Sequence, residues 1–292
     1  MEQVAFIVWR ESVEALLVVG ILYSWLSRSA AGRRGLPWLW AGVAGGLLLA
    51  GALAAVLLGI SQWLTDTAQE WFQVSMAVAA CALVVQMVLW MRRHGRGLKR
   101  ELETGASAQV GSQQWWGLSA LVAIAVAREG SETVVFLYGT ILSSQQKGDL
   151  GAMVLAGAGG FAVALLTFWL LQLGGRVITW RRFFKLTEIL LLLLAGALLV
   201  SATDRLISLD VLPALIDPVW NTAWLLDTGG GLGKALADFA GYRATPALSQ
   251  LLIWLGYWCI VVWLLRRTTH AGATDAPRDA GAAANDRLSS QR

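Results

Sequence analysis

Charged residues are scarce in this 292-residue chain. Only 14% are Asp, Glu, Lys or Arg, against roughly a quarter in a soluble domain. With 57% hydrophobic residues and a mean hydropathy of +0.59, that scarcity excludes a soluble core and implies an integral membrane protein. Histidine and cysteine number two each. Cys81 and Cys259 stand in separate apolar runs, and neither has a CxxC or Cys/His neighbour, so both read as small core residues. His94 and His270 fall beside the apolar runs and read as solvated. The amino terminus, MEQVAFIVWRESVEALLVV, lacks a basic leader and its apolar stretch is broken by charge, so no cleavable signal is expected. The net charge of +4 does not imply a nucleic-acid partner, because the basic residues cluster at helix ends, where topology accounts for them.

What is present is a series of apolar runs. About 20 mostly apolar residues suffice for a helix to cross the hydrocarbon, and seven candidates emerge at about 4–26, 37–60, 74–91, 115–142, 150–173, 183–202 and 249–265. Lys and Arg set the orientation. Outside the two motifs described next, only Lys147, Arg205, Lys234 and Arg243 fall on one side. The amino terminus is therefore expected outside and the carboxyl terminus in the cytoplasm. The membrane body spans 1–270, with a first group of three helices at about 1–91, a second at about 115–202, an outer loop at 203–248 and a seventh helix at 249–265. That loop is rich in Trp and Leu and reads as short interfacial helices broken at Gly229–Gly231 (GGG). The Ala/Gly/Asp/Arg-rich tail at 271–292 reads as a disordered cytoplasmic segment. Trp9, Trp90 and other tryptophans near helix ends are candidate interface anchors, with core packing the better reading for Trp9.

Two runs carry charges that an apolar segment should expel. IVWRESVEALLVV contains Arg10, Glu11 and Glu14; AVAREGSETVVFLYG contains Arg128, Glu129 and Glu132. Aligned, both read V-x-R-E-x-x-E, each on the first helix of a three-helix group. An odd number of spans per group makes the second group run opposite to the first, the pattern of a 3+3 inverted repeat, which in transporters sets the site near the midplane where the halves meet. Residues three apart share a helix face, so each Glu pair points one way, and each Arg can reach the second Glu four residues on. Glu11 lies about 12 Å along its helix, within the middle region of the membrane. Four carboxylates against two guanidiniums leave a formal −2, costly in hydrocarbon unless paired, solvated or occupied by a cation. Carboxylate oxygens are hard ligands suited to Mg²⁺, Ca²⁺, Mn²⁺ and ferric ions. A divalent ion leaves the site neutral and a trivalent one leaves +1, and charge counting admits both. One such motif could be an ion pair locking helices together; a packing device has no reason to recur at matching places in both halves. Glu188 is a candidate for the path, or a simple partner of Lys185. Asp66 and Glu70 are outer acidic residues that could lie on the path or form a solvated face.

The paired motifs resemble the oxidase-dependent iron permease family, the high-affinity iron permeases of fungi and their bacterial ferrous-iron-uptake relatives. The hallmark R-E-x-x-E of the first and fourth membrane helices reads RESVE at 10–14 and REGSE at 128–132. The outer segments DPVWNTAWLLD and GYRATPALSQLL are also similar to the family, so the resemblance covers about residues 1–267. Ser12 stands where the family commonly has Gly. The resemblance implies an all-α polytopic permease of the bacterial inner membrane with no resident cofactor. It implies that iron is the transported substrate, that Glu11, Glu14, Glu129 and Glu132 are its ligands, and that Arg10 and Arg128 support them. It also implies partners: a periplasmic iron-binding, cupredoxin-like or oxidase protein, and a ferredoxin-like membrane protein. Two alternatives remain at this level. One is a transporter of manganese, lead or protons. The other is an intramembrane protease, which usually adds histidines that this chain does not place in its membrane runs.

Overall fold

The computed structural model describes residues 1–28, 30–94, 104–107, 115–143, 150–172 and 180–274. The described residues are helical, with connecting turns and no strand. In chain order the helices are α1 (Glu2–Ser27), α2 (Ala30–Arg33), α3 (Leu36–Trp63), α4 (Asp66–His94), α5 (Trp115–Ser143), α6 (Leu150–Gln172), α7 (Trp180–Ser208), α8 (Gly231–Ala240) and α9 (Leu248–Thr274). The basic cluster at 96–100, together with Glu101, Glu103, Lys147, Asp149 and residues 275–292, lies outside the described residues.

Five helices are long and apolar enough to cross a membrane, over Leu36–Trp63, Asp66–Arg93, Gly151–Gln172, Lys185–Ser208 and Leu248–Arg267. The two long helices that do not meet that test of composition, α1 and α5, are the ones carrying three motif charges each. Their lengths of 26 and 29 residues correspond to about 39 and 43 Å, more than the ~30 Å hydrocarbon core.

Several helices outrun the apolar runs that predict them. α4 starts at Asp66 rather than near residue 74, α7 continues to Ser208 and α9 to Thr274. The apolar run marks what lies in hydrocarbon, whereas backbone hydrogen bonding continues into the polar margin. Asp66 in the first turn of α4 suits the positive end of the helix dipole. Between α3 and α4 the chain breaks at Leu64, in extended conformation at φ −79° and ψ 141°.

Contacts fix the helix directions. Ile7 of α1 shares one apolar cluster with Phe136 of α5, and Leu22 and Leu26 share another with Leu118 and Val122. α1 and α5 therefore run antiparallel. α6 runs parallel to α1: Gly160 meets Ala5, Thr167 meets Trp9, and Phe168 meets Gly20. α3 runs parallel to α5, with Gly42 on Ser119, Gly46 on Val126 and Ala50 on Gly130. α4 and α7 are antiparallel, pinned by Glu70–Arg205 at one end and Arg92–Glu188 at the other. α9 runs back along α7, with Gln250 on Asp204 and the Tyr257 hydroxyl donating to the Leu192 carbonyl at 2.7 Å. The pairings α3–α5 and α1–α6 exchange when the groups α1, α3, α4 and α5, α6, α7 are exchanged.

Lipid tails are as apolar as Leu, so close contact rather than hydrophobic drive joins such helices. A Cβ on Gly46 would lie 2.7 Å from Val126 Cβ, and one on Gly160 would lie 2.4 Å from the Ala5 carbonyl oxygen. Both glycines are backbone-contact points that a larger residue would pry apart.

The segment between α7 and α9 is folded. Its two family-like stretches pair through the backbone, Val219 N–H to Pro246, Thr222 N–H to Ala244 and Leu248 N–H to Ile216, each at 2.9 Å. One short helix, α8, follows Gly230 and ends at Gly241, whose φ of +73° lets the Gly241 and Tyr242 amides cap the last turn. Asp204 accepts from Arg243 and Gln250 and ties this segment to α7. Gln3 donates to the Asp238 carbonyl, and Phe6 meets Phe239 edge to face, so α8 sits at the amino-terminal end of α1.

Candidate metal-transport site

The geometry starts from the helix period. In α1 the three-residue spacing puts Glu11 and Glu14 on one face, and antiparallel α5 presents Glu129 to it. Glu11, Glu14 and Glu129 each offer a carboxylate oxygen within 4.8 Å of the others. All are buried: Glu11 is 1% exposed, Glu129 8% and Glu14 9%. This level lies between the two apolar clusters. Ile7 and Phe136 close one side, and Val18, Val122 and Val126 close the other.

The arginines take different positions. Arg10, 2% exposed, donates from Nη1 to Glu11 Oε1 at 2.6 Å, and its Nη2 stands 2.5 Å from Glu14 Oε1. Arg128 is farther out, with its side chain 37% exposed, and donates from Nε to Glu132 Oε1 at 3.0 Å. Both Arg-to-Glu pairs expected four residues apart are therefore present. Glu132 is buried but outside the group of three; its bond to Arg128 keeps it on its own helix.

The cluster is incompletely satisfied. Glu11 Oε2, Glu129 Oε2 and Glu132 Oε2 are buried with no hydrogen-bond partner among the described residues. Buried polar atoms without partners are costly. Hard oxygens converging in such a site form a donor set that a small cation would satisfy.

The remaining candidates lie elsewhere. Glu188 pairs with Arg92 of α4, Nε to Oε1 at 2.6 Å, rather than with Lys185. The reason is directional: antiparallel α4 brings a fork-shaped guanidinium onto the carboxylate, and Lys185 is exposed. Glu70 receives Arg205 Nη1 at 2.8 Å, and Asp66 is exposed at the start of α4. The structure brings neither acid to the carboxylate group. Trp9 packs inside the bundle, its indole donating to Thr167 Oγ1 at 3.0 Å.

Sequence reasoning missed the role of α4. Met87 Sδ lies 2.8 Å from Arg10 Nη1 and Met91 Sδ 3.6 Å from Arg10 Nη2. Trp90, read from the sequence as an interface anchor, lies under Arg128, with the guanidinium carbon 4.2 Å from the ring centroid. The available signal was the three- and four-residue spacing of Met87, Trp90 and Met91, which puts them on one helix face.

The chain is similar to known proteins over nearly its whole length. The family model described as Iron permease FTR1 family matches residues 1–269. A ferrous iron permease EfeU of Escherichia coli O6:H1 is 31% identical over 281 residues, covering 92% of this chain and 96% of that protein. The ferrous iron permease EfeU of Yersinia pestis is 30% identical over 280 residues, covering 93% and 96%. No solved structure matches. With the match running almost from end to end, the chain belongs to the iron permease FTR1 family.

Proposed function

We propose that this permease imports iron across the bacterial inner membrane through Glu11, Glu14, Glu129 and Glu132, with Arg10 paired to Glu11 and Glu14 and Arg128 paired to Glu132 until the ion arrives. One observation carries the reading: three carboxylates from two motif helices stand within 4.8 Å of one another in a buried site. Carboxylates alone suit a transported ion, because the site must bind well enough to load and loosely enough to release. Among the described residues, no cysteine or histidine joins these carboxylates to trap the metal.

The mechanism follows from the two apolar clusters. A site closed on both sides is an occluded arrangement. Opening on the Ile7 and Phe136 side admits the ion, and opening on the Val18, Val122 and Val126 side releases it. Seven spans arranged as a 3+3 inverted repeat plus a carboxyl-terminal helix, with the amino terminus outside, supply the rocking halves. The exchange of helix pairings between α1, α3, α4 and α5, α6, α7 supports that arrangement. Glu132 stands one helical turn nearer Phe136 than Glu129, on the entry side, and passes the ion on to the group of three. Any change in iron oxidation state falls to a partner, a periplasmic iron-binding, cupredoxin-like or oxidase protein, or a ferredoxin-like membrane protein. The permease itself moves iron and does no covalent chemistry.

The test is radioactive iron uptake into liposomes holding purified protein, with iron redox state and pH gradient set separately and manganese as competitor. Uptake of one iron species above manganese supports the reading. Transport of manganese with no iron uptake in either redox state would sink it.

A further inference from the structure

Both motif arginines rest on one helix that has no motif of its own. Arg10 contacts Met87 Sδ at 2.8 Å and Met91 Sδ at 3.6 Å, and Arg128 lies 4.2 Å over the Trp90 ring. Positions 87, 90 and 91 share a face of α4. Met87 is 2% exposed, and Met91 and Trp90 are half-buried. Each guanidinium thus has charged partners on its own helix and a neutral, polarisable one on α4.

The chemistry of those neutral partners matters. A thioether sulfur is a weak acceptor, and an indole face attracts a guanidinium through its quadrupole. Neither adds charge to a site that must accept a cation. A carboxylate that turns to an incoming ion must release its arginine, and an unaccompanied guanidinium in a membrane interior is costly. α4 supplies a partner that is available before and after that exchange. Arg10 Nε has no hydrogen-bond partner among the described residues, so its terminal nitrogens, shared between carboxylates and sulfurs, hold its head group.

We propose that Met87, Trp90 and Met91 are positioning residues that form a neutral seat for both motif arginines and receive them when the carboxylates turn to the transported ion. The proposal rests on the carboxylate route above, and its test is chosen to fail separately.

One readout needs no iron. Arg128 is accessible enough for a dicarbonyl reagent such as phenylglyoxal, whose adduct is counted by peptide mass spectrometry on purified full-length protein. In Trp90→Leu, Arg128 should react roughly three- to tenfold faster than in the parent, and Trp90→Phe should restore most of the protection, because Phe keeps a weaker cation–π face. Equal rates in parent and Trp90→Leu, or no rescue by Phe, would overturn the Trp90 part. The second readout is liposome uptake by Met87→Leu/Met91→Leu, which keeps apolar bulk and loses both sulfurs. Arg10 then stays on its carboxylates, and the apparent KM for iron should rise roughly three- to tenfold with protein yield and melting temperature unchanged. An unchanged KM would overturn the methionine part. Normal iron uptake by Glu129→Gln would instead refute the carboxylate route, leaving the labelling result to stand on its own.

Discussion

At the residue scale, the two arginines do different work. Arg10 is buried among Glu11, Glu14 and two sulfurs, whereas Arg128 is half-exposed and touches Glu132 and an indole face. Lys keeps the charge and loses the planar fork. Arg10→Lys, which must serve two carboxylates at once, should lower iron uptake more than tenfold, and Arg128→Lys roughly two- to fivefold. Equal uptake by parent and Arg10→Lys in liposomes would mean that charge alone suffices. The outer acid Glu70 leads to a contrasting expectation. It is tied to Arg205 at 2.8 Å and lies apart from the carboxylate group, so Glu70→Gln should change uptake less than twofold, since an exposed pair contributes only ~0–1 kcal/mol. A large loss would put Glu70 on the ion's route. The four glutamates and two arginines were legible because charge in an apolar run is conspicuous. The seat on α4 was not, because Met and Trp in such a run look like ordinary packing until a neighbouring helix brings an arginine to them.

At the scale of the element, the motif helices are positioned by small residues on their neighbours. α3 meets α5 along Gly42, Gly46 and Ala50, and α6 meets α1 at Gly160. Gly46→Leu should separate α3 from α5, with a cost of roughly 1–3 kcal/mol or more from overpacking, read as a lower melting temperature in detergent and a loss of uptake. Gly51, which has open space around the position of an added Cβ, should accept Ala with no loss of stability. Equal melting temperatures for Gly46→Leu and Gly51→Ala would contradict this packing. Helix existence was readable from the apolar runs, but helix ends were not. The run stops where hydrocarbon stops, while Asp66, Gln69 and Glu70 continue α4 in the polar margin. Likewise, the partner of Glu188 depends on which helix lies alongside, and local spacing pointed to Lys185 where antiparallel α4 supplies Arg92.

At the scale of the whole molecule, the arrangement converts two ordinary amphipathic defects into one site. Neither motif alone assembles the carboxylate group; it appears when antiparallel α1 and α5 cross between two apolar clusters. The sequence made that meeting legible through the repeat of V-x-R-E-x-x-E in two three-helix groups. It did not reveal that Glu132 stays with Arg128 while the other three glutamates gather, because that asymmetry depends on side-chain rotamers set by tertiary contacts. The central claim is that these carboxylates are the ion's route. Its most direct measurement is the initial rate of radioactive iron uptake into liposomes for Glu11→Gln, Glu14→Gln, Glu129→Gln and Glu132→Gln, each checked for parent-like yield and helicity. Gln keeps the size and one oxygen of Glu and removes the charge. The account predicts that all four variants fold and each loses most of its uptake, by roughly 10²-fold for the three gathered glutamates, in line with the loss of a charged ligand worth ~3 kcal/mol. Parent-like uptake by all four would contradict it and return the two motifs to the role of ion pairs that hold helices together.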